Sequence, residues 1–284
     1  MPLLPESSLP RLASALGTAA FVVGGRARRT ARMNLESVAG RRQATVRRMF
    51  IRNAQYYLSL FARRPAGFRL EDHQLEGWEH FREALVQGRG CLLVSPHVGD
   101  INYYAELFVA SGLPVNVLVE ELRPAKLSQL AAELRRRRGV NVITGGRGAL
   151  REIYRALDRN EIVAIISDRD VAGDGQPVTF FGRRTTMPHY AFTIAARRKT
   201  PVVFGTAVRL DDGHIVADVR PPFIPSTDAR AEVQRMASVF EEFIRRWPDQ
   251  WLAFQPVFRE GLGARAWGLD QTPDPRPQTP GGEG

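Results

Sequence analysis

Between residues 91 and 208 the chain alternates repeatedly between two kinds of segment, and this limits the folds open to it. Cys91–Ser95, Val115–Val119, Val140–Thr144, Ile162–Ser167 and Val202–Val208 are short aliphatic runs, mostly β-branched. Between them lie Ile101–Ser111, Ala125–Arg138, Gly146–Leu157 and Tyr190–Arg198, each long enough for a helix. Strands joined by helical crossovers have both sheet faces covered. The pattern therefore predicts an α/β fold with a central, mostly parallel sheet flanked by helices. Thr206–Leu210 and His214–Val219 flank Asp211-Asp212-Gly213, whose Asp-Gly step predicts an antiparallel hairpin at the sheet edge. A last helix is expected over Asp228–Trp247, stopped by Pro248. No linker divides residues 65–260, which read as one domain. Residues 261–284 read as a disordered tail, rich in Pro, Gly and polar residues from Thr272 onward.

The net charge of +10 lies wholly in the first 64 residues, which hold twelve arginines and two acids; the remainder balances. Such a segment suits an anionic surface, either nucleic acid or a membrane. Leu9–Val23 is apolar but shorter than the roughly twenty residues a spanning helix needs. Its positive charge follows the apolar stretch, the reverse of a signal peptide. Val46, Met49, Phe50, Asn53, Tyr57, Leu60 and Phe61 recur at helical spacing, with Arg41, Arg42, Arg47, Arg48 and Arg52 on much of the other side. That helix can lie in a membrane interface or pack its apolar face on the domain. Together with the apolar entry segment it predicts a helical membrane-association region over residues 1–64, packed on the same domain. The protein is then peripheral, on the cytoplasmic face of the cell membrane. No nucleic-acid motif occurs. The single cysteine, Cys91, lies in an apolar run and excludes a disulfide framework.

Ligands of open α/β sheets bind beyond the carboxyl ends of strands. Two segments put polar groups there: Ser95-Pro96-His97-Val98-Gly99-Asp100 and Ser167-Asp168-Arg169-Asp170. His97 is a candidate general base, although a histidine at a strand end is structural as often as catalytic. Backbone N–H groups near Gly99, where a helix begins, could hold an oxyanion. A base beside such donors describes acyl transfer from an activated carbonyl to a hydroxyl, without a protein nucleophile. No G-x-S-x-G elbow points to a hydrolase triad. Asp168 and Asp170 could instead form the D-x-D of a metal-dependent glycosyltransferase. Gly145-Gly146-Arg147-Gly148 lacks the lysine of a phosphate loop. Arg135–Arg138 ends a helix, where cations are favourable, and could equally meet a phosphate or carrier protein.

Leu75-Glu76-Gly77-Trp78, Gly90–Asn102, Asp168-Arg169-Asp170, Phe180-Phe181-Gly182 with Met187-Pro188, and Trp247-Pro248-Asp249-Gln250-Trp251 occur in that order. In this set the chain resembles the bacterial lipid A lauroyl/myristoyl acyltransferase superfamily, over roughly residues 9 to 258. Its segments are most similar to those of the phosphatidylinositol mannoside acyltransferases. The resemblance implies a membrane-associated enzyme that moves a fatty acyl chain from acyl-CoA or acyl carrier protein to a hydroxyl of a lipid or glycolipid. It implies no metal and no cofactor beyond the acyl donor. The family signature is a histidine, four residues, then Asp or Glu. His97 matches the histidine, but Asn102 stands where the carboxylate belongs. Either Asn102 would then orient His97, or Asp100 or another acid such as Glu106 would, or the chain is a weak or non-catalytic lipid-binding relative. Gly99 donors would hold the oxyanion, and Arg169, Asp168, Arg135 and Arg138 would contact substrate.

Overall fold

The computed structural model describes residues 4–39, 43–62, 68–120, 125–146 and 148–258. Arg41, Arg42, Arg147 and the expected tail lie outside them. Three helices come first: α1 (Leu9–Val23), α2 (Gly25–Ala39) and α3 (Gln43–Ser59). There follow β1 (Gln74–Glu76), α4 (His80–Val86), β2 (Cys91–Ser95), α5 (Ile101–Ala110), β3 (Val115–Val119), α6 (Ala125–Arg136) and β4 (Asn141–Thr144). The chain continues through α7 (Ala149–Asp158), β5 (Ile162–Ile166), β6 (Gln176–Phe180), β7 (Arg183–Met187) and α8 (Tyr190–Arg198). It closes with β8 (Val202–Arg209), β9 (Ile215–Val219) and α9 (Ala229–Arg246).

Seven strands form one sheet in the order β1-β9-β8-β2-β5-β3-β4, parallel throughout except for the β8–β9 hairpin. This is the α/β architecture that the alternation predicts. The strands alternate sides as the pleat requires. Leu92 and Val94 of β2 join the core under α7, α8 and α9, while Cys91 and Leu93 join the core under α4 and α5. β8 fuses the two runs expected separately at Val202–Val208 and Thr206–Leu210. The β6–β7 hairpin, which carries Phe180 and Phe181, was not foreseen as strand.

The N-terminal helices share the larger core. Phe21, Ala31, Leu35, Val46, Met49 and Phe50 are buried in the cluster that includes Phe204 and Trp251. Phe50 meets Phe21 and Phe254 edge to face. The apolar stripe of α3 thus packs largely on the protein's own core, the second of the two arrangements open to such a helix. On its polar side, Arg48 pairs with Asp211 and Asp249, and Arg52 with Asp211. Among the described residues, the exposed large apolar side chains of this region are Leu12, Leu16, Val22 and Val23 on α1 and Tyr57 on α3. Among the described residues no helix is long and apolar enough to cross a membrane.

Candidate active site

The sheet register builds the site. β2 and β5 are parallel neighbours with Ser95 opposite Ile166. Two residues beyond each partner come His97 and Asp168, so their side chains leave the same rim side by side. His97 Nδ1 is hydrogen-bonded to Asp168 Oδ1. The other carboxylate oxygen accepts from the His97 backbone N–H at 3.1 Å and from Trp251 Nε1 at 2.8 Å. The Asp168 side chain has no exposed surface, whereas 30% of the His97 side chain remains open. Burial alone would raise the Asp168 pKa. The attraction of His97, its hydrogen bond, Arg169 and the Trp251 N–H outweigh burial and hold the carboxyl down at about 2.

Arg169 fixes the imidazole tautomer. One of its Nη atoms lies 3.1 Å from His97 Nε2. A guanidinium has no acceptor, so Nε2 must accept and Nδ1 must carry the proton donated to Asp168. Nε2 is therefore the basic nitrogen of the ring. Arg169 also reaches Glu120 at 3.4 Å, and its Nε is buried without a hydrogen-bond partner.

Asn102 and Asp100 do not orient His97. Asn102 is buried between helices, donating to Tyr56 O at 3.1 Å and Ser59 Oγ at 3.0 Å and accepting from Arg135 Nε at 3.2 Å. Asp100 caps α5 by accepting from the Asn102 backbone N–H at 2.9 Å. Burial raises the Asp100 carboxyl to about 7, against the downward pull of Ser59 and the Asn102 amide. The geometry of α5 explains both placements. The helix starts only at Ile101, so its first turn aims these side chains at α3 and away from the strand end.

The expected oxyanion donor is also occupied. Gly99 N–H donates to Gln250 O at 3.0 Å. Gly99 adopts φ +81°, and a Cβ there would sit 1.9 Å from Ala207 O, so the position serves a close approach to β8. Arg135 is buried, bonding Asn102 and Tyr56 Oη. Arg138 pairs with Glu106 at 2.9 Å and donates to Ser59, Leu60 and Ala62 carbonyls. Arg135 of α6 and Arg138, just past its end, are thus engaged with the protein's own α3 and α5.

Asp170 organises its own loop, accepting from Gly173 N–H, Gly175 N–H and Thr186 Oγ1. Asp168 and Asp170 thus bond different protein donors and do not converge as a metal pair. Among the described residues no group of three or more His, Cys, Asp or Glu is arranged to hold a metal ion. Trp251 is the site residue that sequence reasoning missed. It stood in a terminal motif with no chemical role, 83 residues from the carboxylate it bonds.

The phosphatidylinositol mannoside acyltransferase of Mycolicibacterium smegmatis is 29% identical over 242 residues, covering 79% of this chain and 77% of the relative. The protein of that name from Mycobacterium tuberculosis strain H37Rv is 26% identical over 195 residues, covering 67% of this chain and 61% of the relative. The sequence model of the bacterial lipid A biosynthesis acyltransferases matches residues 1–260, and the chain belongs to that family.

Proposed function

We propose that the protein transfers a fatty acyl chain from a thioester donor, acyl-CoA or acyl carrier protein, to a hydroxyl of a glycolipid, with His97 as general base and Asp168 as its partner. The observation that carries this reading is the buried Asp168 bonded to Nδ1 of a histidine whose side chain is partly exposed. As Arg169 turns from Nε2 to the thioester oxygen, the acceptor hydroxyl gives its proton to the freed Nε2 lone pair and its oxygen attacks the thioester carbonyl carbon. Asp168 stabilises the imidazolium that results. Collapse of the tetrahedral intermediate breaks the C–S bond, and the imidazolium returns the proton to the leaving thiolate, giving ester and free thiol. With Gly99 N–H engaged elsewhere, Arg169 is the cation placed to stabilise the developing oxyanion. The names of the mycobacterial relatives support a phosphatidylinositol mannoside as acceptor class.

Peripheral attachment to the cytoplasmic face of the membrane belongs to the same reading. α1 exposes Leu12, Leu16, Val22 and Val23, and α2 exposes Arg26, Arg29 and Arg32. Apolar insertion beside basic residues is the pattern of a helix at an anionic interface. The test is thiol release from acyl-CoA in the presence of phosphatidylinositol mannoside vesicles, comparing wild type with His97→Ala. Release that depends on acceptor and on His97 is expected; equal release by both proteins would sink the mechanism.

A further inference from the structure

We infer that Asn34, on α2, is a positioning residue for acyl transfer, acting through the C-terminal strap that seats Trp251 on Asp168. The inference rests on the His97–Asp168 reading above.

Asn34 is a side-chain amide with 2% of its surface exposed, on a helix whose neighbouring turns bury Ala31 and Leu35. An amide buried there is costly unless its hydrogen bonds are made. All of those found go to one distant segment. Nδ2 donates to Ala253 O at 2.9 Å and Gln255 O at 2.8 Å, and Oδ1 accepts from Val257 N–H at 3.2 Å. Residues 252–258 form neither helix nor strand, and Trp251 pairs with Val98 only in an isolated bridge, so no continuous ladder holds this backbone in place. Asn34 supplies bonds that a ladder would otherwise supply.

The opposite side of the same strap grips the catalytic loop. Trp251 Nε1 donates to Asp168, Leu252 N–H donates to His97 O at 2.7 Å, and Gln250 O accepts from Gly99 N–H. Asn34 therefore stands two residues along the strap from the group that fixes Asp168, and one from the group that fixes the His97 backbone. Phe254 on Phe50 and Phe258 against Phe180 anchor the strap by apolar contact. Loss of the amide should consequently let the strap shift in register while leaving it attached. A displacement of ~1 Å at reacting groups can cost ~10²-fold in rate. Asn34 touches neither His97 nor Asp168, so its loss should appear in kcat, with KM for the thioester unchanged.

The experiment measures thiol release by full-length Asn34→Leu, Asn34→Ser, Trp251→Phe, His97→Ala and the Asn34→Leu/Trp251→Phe double variant, with melting temperatures alongside. Asn34→Leu should lose about tenfold to a hundredfold in kcat at unchanged KM. Asn34→Ser, which keeps one donor, should fall between it and wild type, and it carries the test if the leucine variant does not fold. The double variant should lose less than the product of the two single losses, because both changes weaken the Trp251–Asp168 contact. Additive losses, or wild-type kcat in both Asn34 variants, would overturn the inference while leaving His97 as the base. Full activity in His97→Ala would instead bring down the underlying mechanism, and this inference with it.

Discussion

Replacing Asp168 by asparagine probes the site most directly, because the surroundings dictate how the amide must sit. One carboxylate oxygen accepts from two fixed donors, the His97 backbone N–H and Trp251 Nε1. In Asp168→Asn the amide oxygen must take that place, since turning the NH2 toward two N–H groups would set donors against donors. The NH2 then faces His97 Nδ1 and forces it to accept. The ring proton moves to Nε2, where it opposes Arg169 and leaves no lone pair for the acceptor hydroxyl. The negative charge beside the imidazolium is lost as well. The same exchange behind a serine-protease histidine costs about 10⁴ in turnover, equivalent to about 5 kcal/mol of barrier. A kcat lowered by about 10³–10⁴ is expected here, read by thiol release. A variant that melts close to wild type yet keeps more than about a tenth of its activity would refute the reasoning. Asp168 also fixes what the pH profile can show. Its carboxyl is depressed to about 2, so its stabilising contribution is present above its ordinary value and is lost only as pH falls toward 2. Loss of activity between pH 5 and 7 should therefore not follow Asp168.

The remaining predictions concern the polar layer behind the site. Asn102→Asp should bring no gain in activity. It places a carboxylate against Tyr56 O and removes two donated bonds, costing about 1–3 kcal/mol in denaturant melts; a faster enzyme would contradict the geometry. Arg138→Ala leaves Glu106 and three backbone carbonyls without that cation and should cost about 3–5 kcal/mol. Arg137→Ala removes only an exposed pair with Glu133 and should cost about 0.5 kcal/mol or less; equal effects would reject the distinction. Asp100 has its carboxyl raised from 3.8 to about 7, so the fold favours its protonated form. That contribution is full below about pH 4 and lost as pH rises through 7. Asp100→Asn keeps an oxygen for the α5 cap and should gain stability over wild type between pH 5 and 8, on the order of a few kcal/mol. A difference independent of pH would show that Asp100 is not the titrating group.

The fold was legible because its strands are buried on both faces and stand out as aliphatic runs between helical ones. His97 was legible because it ends such a run. Its partner was not, because sequence order places three strands and seventy residues between His97 and Asp168. Only the return of β5 to lie beside β2, ahead of β3, makes them neighbours. The offsets held a weak signal, since both residues sit two places beyond paired strand ends, yet choosing the pair required the strand order. The two alternatives for α3 stayed open in the sequence for a related reason. An amphipathic helix shows an apolar stripe whether the stripe meets lipid or protein, and periodicity does not name the partner.

Strand order also accounts for Asn102. The family signature suggests a carboxylate five places after the histidine, and its replacement by an amide suggested a damaged base. On this frame the fifth place lies in the first turn of α5, facing Arg135 Nε, Tyr56 O and Ser59 Oγ. A carboxylate there would meet an arginine, and the imidazole would still depend on Asp168. The position instead fixes α5 against α3 and α6. Because α5 begins four residues after His97, that junction limits where the histidine backbone can stand. Asn102 meets this structural demand with neutral hydrogen bonds, and the charge required beside His97 comes from the end of β5.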